Sequence, residues 1–153
     1  MITSEKQYVA AKEQLRLLEA SFLRPAKKNV PDVIVNASKQ QIQELMREIQ
    51  KNMSEYTSLI ENREPNIEIN TIEDLFSAPI RYRLATHMSI ERFGQKVGVS
   101  PRQIARYEKE EYQNVNSSTL KKILGNLQIN IRGKISKPER KVHVPKAGNS
   151  SCV

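Results

Sequence analysis

MSIERFGQKVGVSPRQIARYE, residues 88–108, holds two helix starts separated by a tight turn. Ser89 is placed to cap the first, with Met88 before it and Phe93 spaced to close a hydrophobic staple over the cap. The second start carries more signals: Ser100 at the N-cap, Pro101 at the first helical position, Gln103 to complete a capping box, and Val99 with Ile104 as the staple. Gly98 falls between them, where the first helix must end in a left-handed conformation that a residue without a Cβ adopts at least cost. The predicted unit is a short helix of about nine residues, a glycine turn and a second short helix, the layout of a helix-turn-helix.

The second helix presents Arg102, Gln103 and Arg106 on one side and Ile104 and Tyr107 on the other. Arginine can fork onto the O6 and N7 acceptors of guanine, and glutamine can bond both N6 and N7 of adenine, so this helix start suits base edges in the major groove. Its amino end also carries free N–H groups and a positive dipole end, which suit phosphate. Ser89, Ser100, Arg102, Gln103, Arg106 and Lys109 are therefore the candidate DNA contacts. Gln103 has two competing uses, capping its own helix and reading a base.

The wider segment IRYRLATHMSIERFGQKVGVSPRQIARYEKEEYQNVNSSTLKKILGNLQI resembles the DNA-binding domain of the Cro/cI-like, or XRE, helix-turn-helix regulators. Arg83, Ser89, Phe93, Gly98, Ile104, Tyr107 and Glu108 stand at that family's pattern positions, and the resemblance spans residues 75 to 128. It implies a lambda-repressor-like five-helix domain, binding to double-stranded DNA, and a structural ion pair between Arg83 and Glu108. Two positions depart from the pattern. Ile90 stands where the family usually has Gln, which would remove one backbone clamp. Gly94 replaces the usual Ala inside the first helix, at a helix-propensity cost of about 0.5 to 1 kcal/mol, while keeping a small residue at a close helix contact.

Working outward, charge separates the two halves of the chain. Of the 153 residues, the first 70 carry ten Lys+Arg and ten Asp+Glu; residues 71–153 carry fifteen and seven, which is the whole net excess of +8. The anion-binding half is the C-terminal one.

Upstream, Tyr8, Leu15, Leu18 and Phe22 form one apolar stripe on a predicted helix from Ser4 to Leu23. Pro25 and Pro31 break that pattern and predict a loop with a short extended piece at Val33–Val35. A second helix is predicted from an N-cap at Asn36 or Ser38 to Asn62, with Ile42, Leu45, Ile49, Tyr56 and Leu59 at heptad-like spacing. Seams this narrow suit an intrachain hairpin and pairing with a second copy equally, so residues 1–65 are read as a hairpin or coiled-coil extension. The opening SEKQYVAAKEQLRLLE also resembles the extension of HigA-like antitoxins, which repress their own operon and bind a toxin.

Residues 63–70, with Pro65, form the expected domain boundary. Thr71 with Asp74 predicts a capping box on a brief helix through Phe76, after which Ser77 caps another helix running to His87, with Pro79 in its first turn. Leu120, Ile123, Leu124 and Leu127 predict a closing helix capped near Asn116 or Ser117, with Lys121 and Lys122 on its outer face. Ile129, Ile131 and Ile135 alternate with polar residues and predict a short strand over 129–135, an edge able to pair across a dimer. The basic tail 136–153, with Pro138 and Pro145, lacks periodicity and is expected to be disordered.

No apolar run reaches 18 residues and the start is polar, which predicts a cytoplasmic protein with no membrane span. Cys152 is the only cysteine, which rules out an intrachain disulfide. His87 and His143 have no ligand-spaced neighbours, and no nucleophile, paired-carboxylate or phosphate-loop pattern is present, so neither a metal, a cofactor nor catalysis is expected. The overall expectation is an all-α, dimeric transcriptional regulator, a repressor, with an antitoxin acting on a protein toxin through the N-terminal helices as the alternative.

Overall fold

The computed structural model describes residues 1–61 and 67–135. It is all-α over those residues, with helices α1 (Glu5–Leu23), α2 (Asp32–Glu61), α3 (Ile72–Ala85), α4 (Ile90–Val97), α5 (Pro101–Lys109) and α6 (Ser117–Gly125). The first helix begins as its cap dictates: the Ser4 hydroxyl accepts the Gln7 N–H at 3.3 Å. Tyr8, Ala11, Leu15, Leu18 and Phe22 recur on one face and are half-buried. α1 and α2 are antiparallel neighbours in the same chain: Tyr8 stacks on Tyr56 with ring centroids 5.3 Å apart near one end, and the Lys39 ammonium lies 5.7 Å from the Phe22 ring near the other.

The start of α2 corrects the predicted loop. Val33–Val35 are helical rather than extended, and the helix begins before Asn36 and Ser38. The Pro31 carbonyl accepts the Ile34 and Val35 N–H groups at 3.0 and 3.2 Å, and Asp32 stands in the first turn. Proline just outside a helix followed by an acid at the positive dipole end is a start signal, and it overrides the weak β preference of three branched residues.

A second correction concerns α3. In place of two short helices there is one, opened by the predicted capping box at Thr71 and Asp74 and running through Pro79 to Ala85. Ser77 does not cap a helix; its hydroxyl donates to the Asp74 carbonyl at 3.1 Å, within the same helix. Pro79 lacks the N–H that would reach back one turn, and its ring is instead fully buried, so packing holds the helix through the proline. Between residues 71 and 128 there are thus four helices, not five. Residues 129–135 form no strand, because no second edge lies beside them among the described residues, and Ile131 and Ile135 are exposed. The predicted disordered tail and Cys152 lie outside the described residues.

The core lies under α3 to α6. Ile80, Phe93, Val97, Ile104, Tyr112 and Ile123 are fully buried, joined by Leu84 and Tyr107. At about 1.5 to 3 kcal/mol for each large apolar side chain removed from water, this cluster holds the turn and both helices of residues 88–108 in place. Ile2 and Tyr56 belong to the same cluster, so the foot of the N-terminal hairpin packs into it. Arg81 ties the two parts from the side, with Nη2 2.9 Å from Glu55 and 3.7 Å from Asp74.

Candidate nucleic-acid interface

Ser89 caps α4 by accepting the Arg92 N–H at 3.2 Å, and the Glu91 backbone N–H and the Ser89 hydroxyl beside the Glu91 carboxyl hold its pKa below the ordinary range. At the other end Gly98 adopts φ 68°, ψ 38°, and its N–H donates to the Gly94 carbonyl. Val99 N–H donates to the same oxygen at 3.0 Å. Gly94 is needed for this close return: a Cβ there would stand 2.6 Å from the Val99 carbonyl oxygen. The propensity cost expected of Gly94 is therefore outweighed by a contact that any side chain would break.

The second helix is capped as its sequence indicates, with the Ser100 hydroxyl accepting the Gln103 N–H at 3.3 Å. The capping box is altered, because the Gln103 carbonyl oxygen accepts from the Ser100 hydroxyl, at 3.1 Å, instead of from the Ser100 backbone. That oxygen has a second lone pair, so Gln103 can keep the bond and still offer oxygen and NH2 to adenine. Ile104, Tyr107 and Glu108 are buried, whereas Arg102, Gln103, Arg106 and Lys109 are exposed. The Arg106 guanidinium lies 5.2 Å from the Tyr107 ring, which supports it while leaving its donors in water.

Ser89 and Ser100 are also exposed, at the amino ends of the two helices. Arg92 and Lys96 extend the exposed basic residues onto α4, with Lys96 Nζ 5.7 Å from the Tyr82 ring. Neither was singled out from the sequence; their four-residue spacing within the first helix of the pair was the available signal. Ile90 faces the other way. It is half-buried and packs on the core, so a glutamine there would lose apolar contact whatever it gained toward phosphate.

Behind the interface, Arg83 Nε and Nη2 bond to the two Glu108 carboxylate oxygens at 2.5 and 2.7 Å, with both side chains buried. Two more donors are used as well: Nη1 reaches the Met88 carbonyl at 3.1 Å and Nη2 the Thr3 carbonyl at 2.9 Å. A buried pair of charges is tolerable when each is paired and its other hydrogen-bonding capacity is filled. One arginine thus holds α5 through Glu108, the entry to α4 through Met88, and the N-terminal segment through Thr3.

Among the described residues, no helix is long and apolar enough to cross a membrane. Neither the curated proteins nor the solved structures contain a match to the chain. The helix-turn-helix family model matches residues 80–133, which span the end of α3 through α6 and the segment beyond. Residues 80–133 therefore carry a helix-turn-helix domain of the Cro/cI-like (XRE) type, the DNA-binding domain of transcription regulators of that class.

Proposed function

We propose that the chain is a sequence-specific repressor that acts in the cytoplasm as a homodimer on operator DNA. Residues 71–128 form the reading unit and residues 1–65 a helical extension. Arg102 and Gln103 read base edges from the first turn of α5, and Arg106, one turn later, takes a base or a phosphate. Ser89, Ser100 and Lys109 contact the backbone, while Arg83 and Glu108 hold the helices without touching DNA. The observation that carries this reading is the two-sidedness of α5: Ile104, Tyr107 and Glu108 buried, Arg102, Gln103, Arg106 and Lys109 exposed. One such helix reads too few base pairs to find a single genomic site, which is why two copies on half-sites roughly 34 to 36 Å apart are expected.

The test is selection of duplexes from a random pool by the full chain, followed by affinity for the selected and a shuffled duplex at one fixed salt concentration. Arg102→Ala and Gln103→Ala should each cost about 1 to 3 kcal/mol on the selected duplex and leave the shuffled one nearly unchanged. Folded variants that bind the selected duplex as the parent does remove α5 as the reader. Sedimentation of the complex gives the stoichiometry, and a single copy on selected DNA contradicts the dimer.

A second reading, an antitoxin, is favoured by one feature of the extension: α1 has no buried residue, and Val9, Leu17 and Leu23 on it are exposed. Co-expression with the product of an adjacent toxin-like reading frame, scored by rescue of growth with and without residues 1–61, tests it.

A further inference from the structure

Lys122 is exposed on α6, and as a lysine in the basic half of the chain it would ordinarily be counted among the phosphate contacts. Its ammonium is already engaged. Nζ donates to the Gly98 carbonyl at 2.7 Å, across 24 residues of sequence, at the turn that joins α4 to α5. Gly98 is the C-cap of α4, where unsatisfied carbonyls and the negative end of the helix dipole favour a cation. The lysine's own backbone is fixed: Ile123 beside it is fully buried, and the Asn126 side chain donates to the Lys122 carbonyl at 2.8 Å. The fit is close enough that a Cβ on Gly98 would meet Nζ at 3.0 Å and Cε at 3.1 Å.

We propose that Lys122 is a positioning residue, which sets the angle between α4 and α5 by clamping their turn to α6, and that it contributes to sequence discrimination without itself neutralising a phosphate. The turn is then held from two sides. On the inside, Gly98 and Val99 donate to the Gly94 carbonyl; on the outside, Lys122 holds the Gly98 carbonyl. Phosphate contacts from the start of α4 and base contacts from the start of α5 can be made together at only one angle, so loosening this turn weakens the matched site before the unmatched one. The inference rests on α5 being the DNA reader.

Salt dependence separates the two roles of a lysine. A phosphate contact contributes about 0.9 to the slope of log affinity against log salt, on any sequence, whereas a clamp inside the protein contributes nothing. The full-length chain, Lys122→Met and Lys122→Arg are titrated with the duplex selected by the parent and with its shuffled counterpart over a series of salt concentrations. Amide exchange at Gly98 and Val99 is measured on the same proteins without DNA. Lys122→Met should weaken the selected duplex by about threefold to tenfold, the net scale of one solvent-exposed hydrogen bond. Its affinity for the shuffled duplex and both salt slopes should match the parent, exchange at Gly98 and Val99 should quicken by a similar factor, and Lys122→Arg should recover most of the loss.

Equal weakening on both duplexes with a shallower slope makes Lys122 a phosphate contact and overturns the proposal. Unchanged exchange and unchanged discrimination in Lys122→Met overturn it as well. A parent chain that selects no duplex removes the reading function itself, and the positioning role with it, whereas failure confined to Lys122→Met leaves that function standing.

Discussion

The two halves of this chain are both helical, yet they are built on different terms. In α3 to α6, five apolar side chains (Ile80, Phe93, Val97, Ile104 and Ile123) are wholly removed from water, within helices of eight to fourteen residues. α1 and α2 are longer, nineteen and thirty residues, but α1 has no buried residue and α2 only Ile49 and Tyr56, each still 8% exposed. Helix length therefore says little about where stability resides. Two helices lying side by side cover one face of each other, while four short helices set around a common centre enclose it. The extension gains its firm end by lending Ile2 and Tyr56 to the other unit's core and by the Thr3 carbonyl bond to Arg83.

The sharpest way to break the comparison is to remove one acidic partner of an arginine in each half. Glu108→Ala leaves the Arg83 guanidinium buried and unpaired, and should lower stability by about 3 to 5 kcal/mol in chemical denaturation. Glu13→Ala in α1 removes an exposed Arg16 partner, also at 2.7 Å, and should leave the denaturation midpoint where it is. Equal effects would mean that the two halves do not differ in how they are held.

A smaller effect is expected at the α4–α5 turn. Alanine is the better helix former by about 1 kcal/mol, yet Gly94→Ala must displace the Val99 carbonyl, and overpacking of this kind costs about 1 to 3 kcal/mol. A thermal melt should show Gly94→Ala less stable than the parent; a more stable variant would mean that the turn is free to open.

The smallest expected effect lies at the largest fully buried side chain of the core. Tyr112 is wholly buried with a hydroxyl that meets no hydrogen-bond partner among the described residues, and burial pushes its phenol pKa well above the ordinary value. Tyr112→Phe removes an unsatisfied polar atom without removing the ring that packs 5.8 Å from Tyr107, so stability should stay level or rise by up to about 1 kcal/mol. A clear loss on denaturation would show that the hydroxyl has a partner in solution and that this core is wetter than the packing suggests.

Much of the reading unit was legible in residues 88–108 because caps, turns and staples act over four or five residues. Ser89, Gly98, Ser100 and Pro101 each state a backbone conformation, and the same logic placed the capping box at Thr71 and Asp74. It went wrong where a local signal was outweighed by distant packing. Pro79 and Ser77 look like a helix boundary until Pro79 is buried against the rest of the core, and the isoleucine alternation of 129–135 is a strand pattern with no edge to pair to among the described residues.

The sequence by itself determined the helix-turn-helix, its caps and the side of α5 that carries Arg102, Gln103 and Arg106, since these follow from spacing within a few residues. Only the tertiary structure decided that Arg83 holds Thr3 and Met88 as well as Glu108, that Ile90 turns inward, that Gly94 cannot be alanine without a shift, and that Lys122 reaches Gly98. The physical reason is range. A cap is set by its neighbours along the chain, whereas these contacts join residues up to 80 positions apart and exist only once the helices have closed on one core.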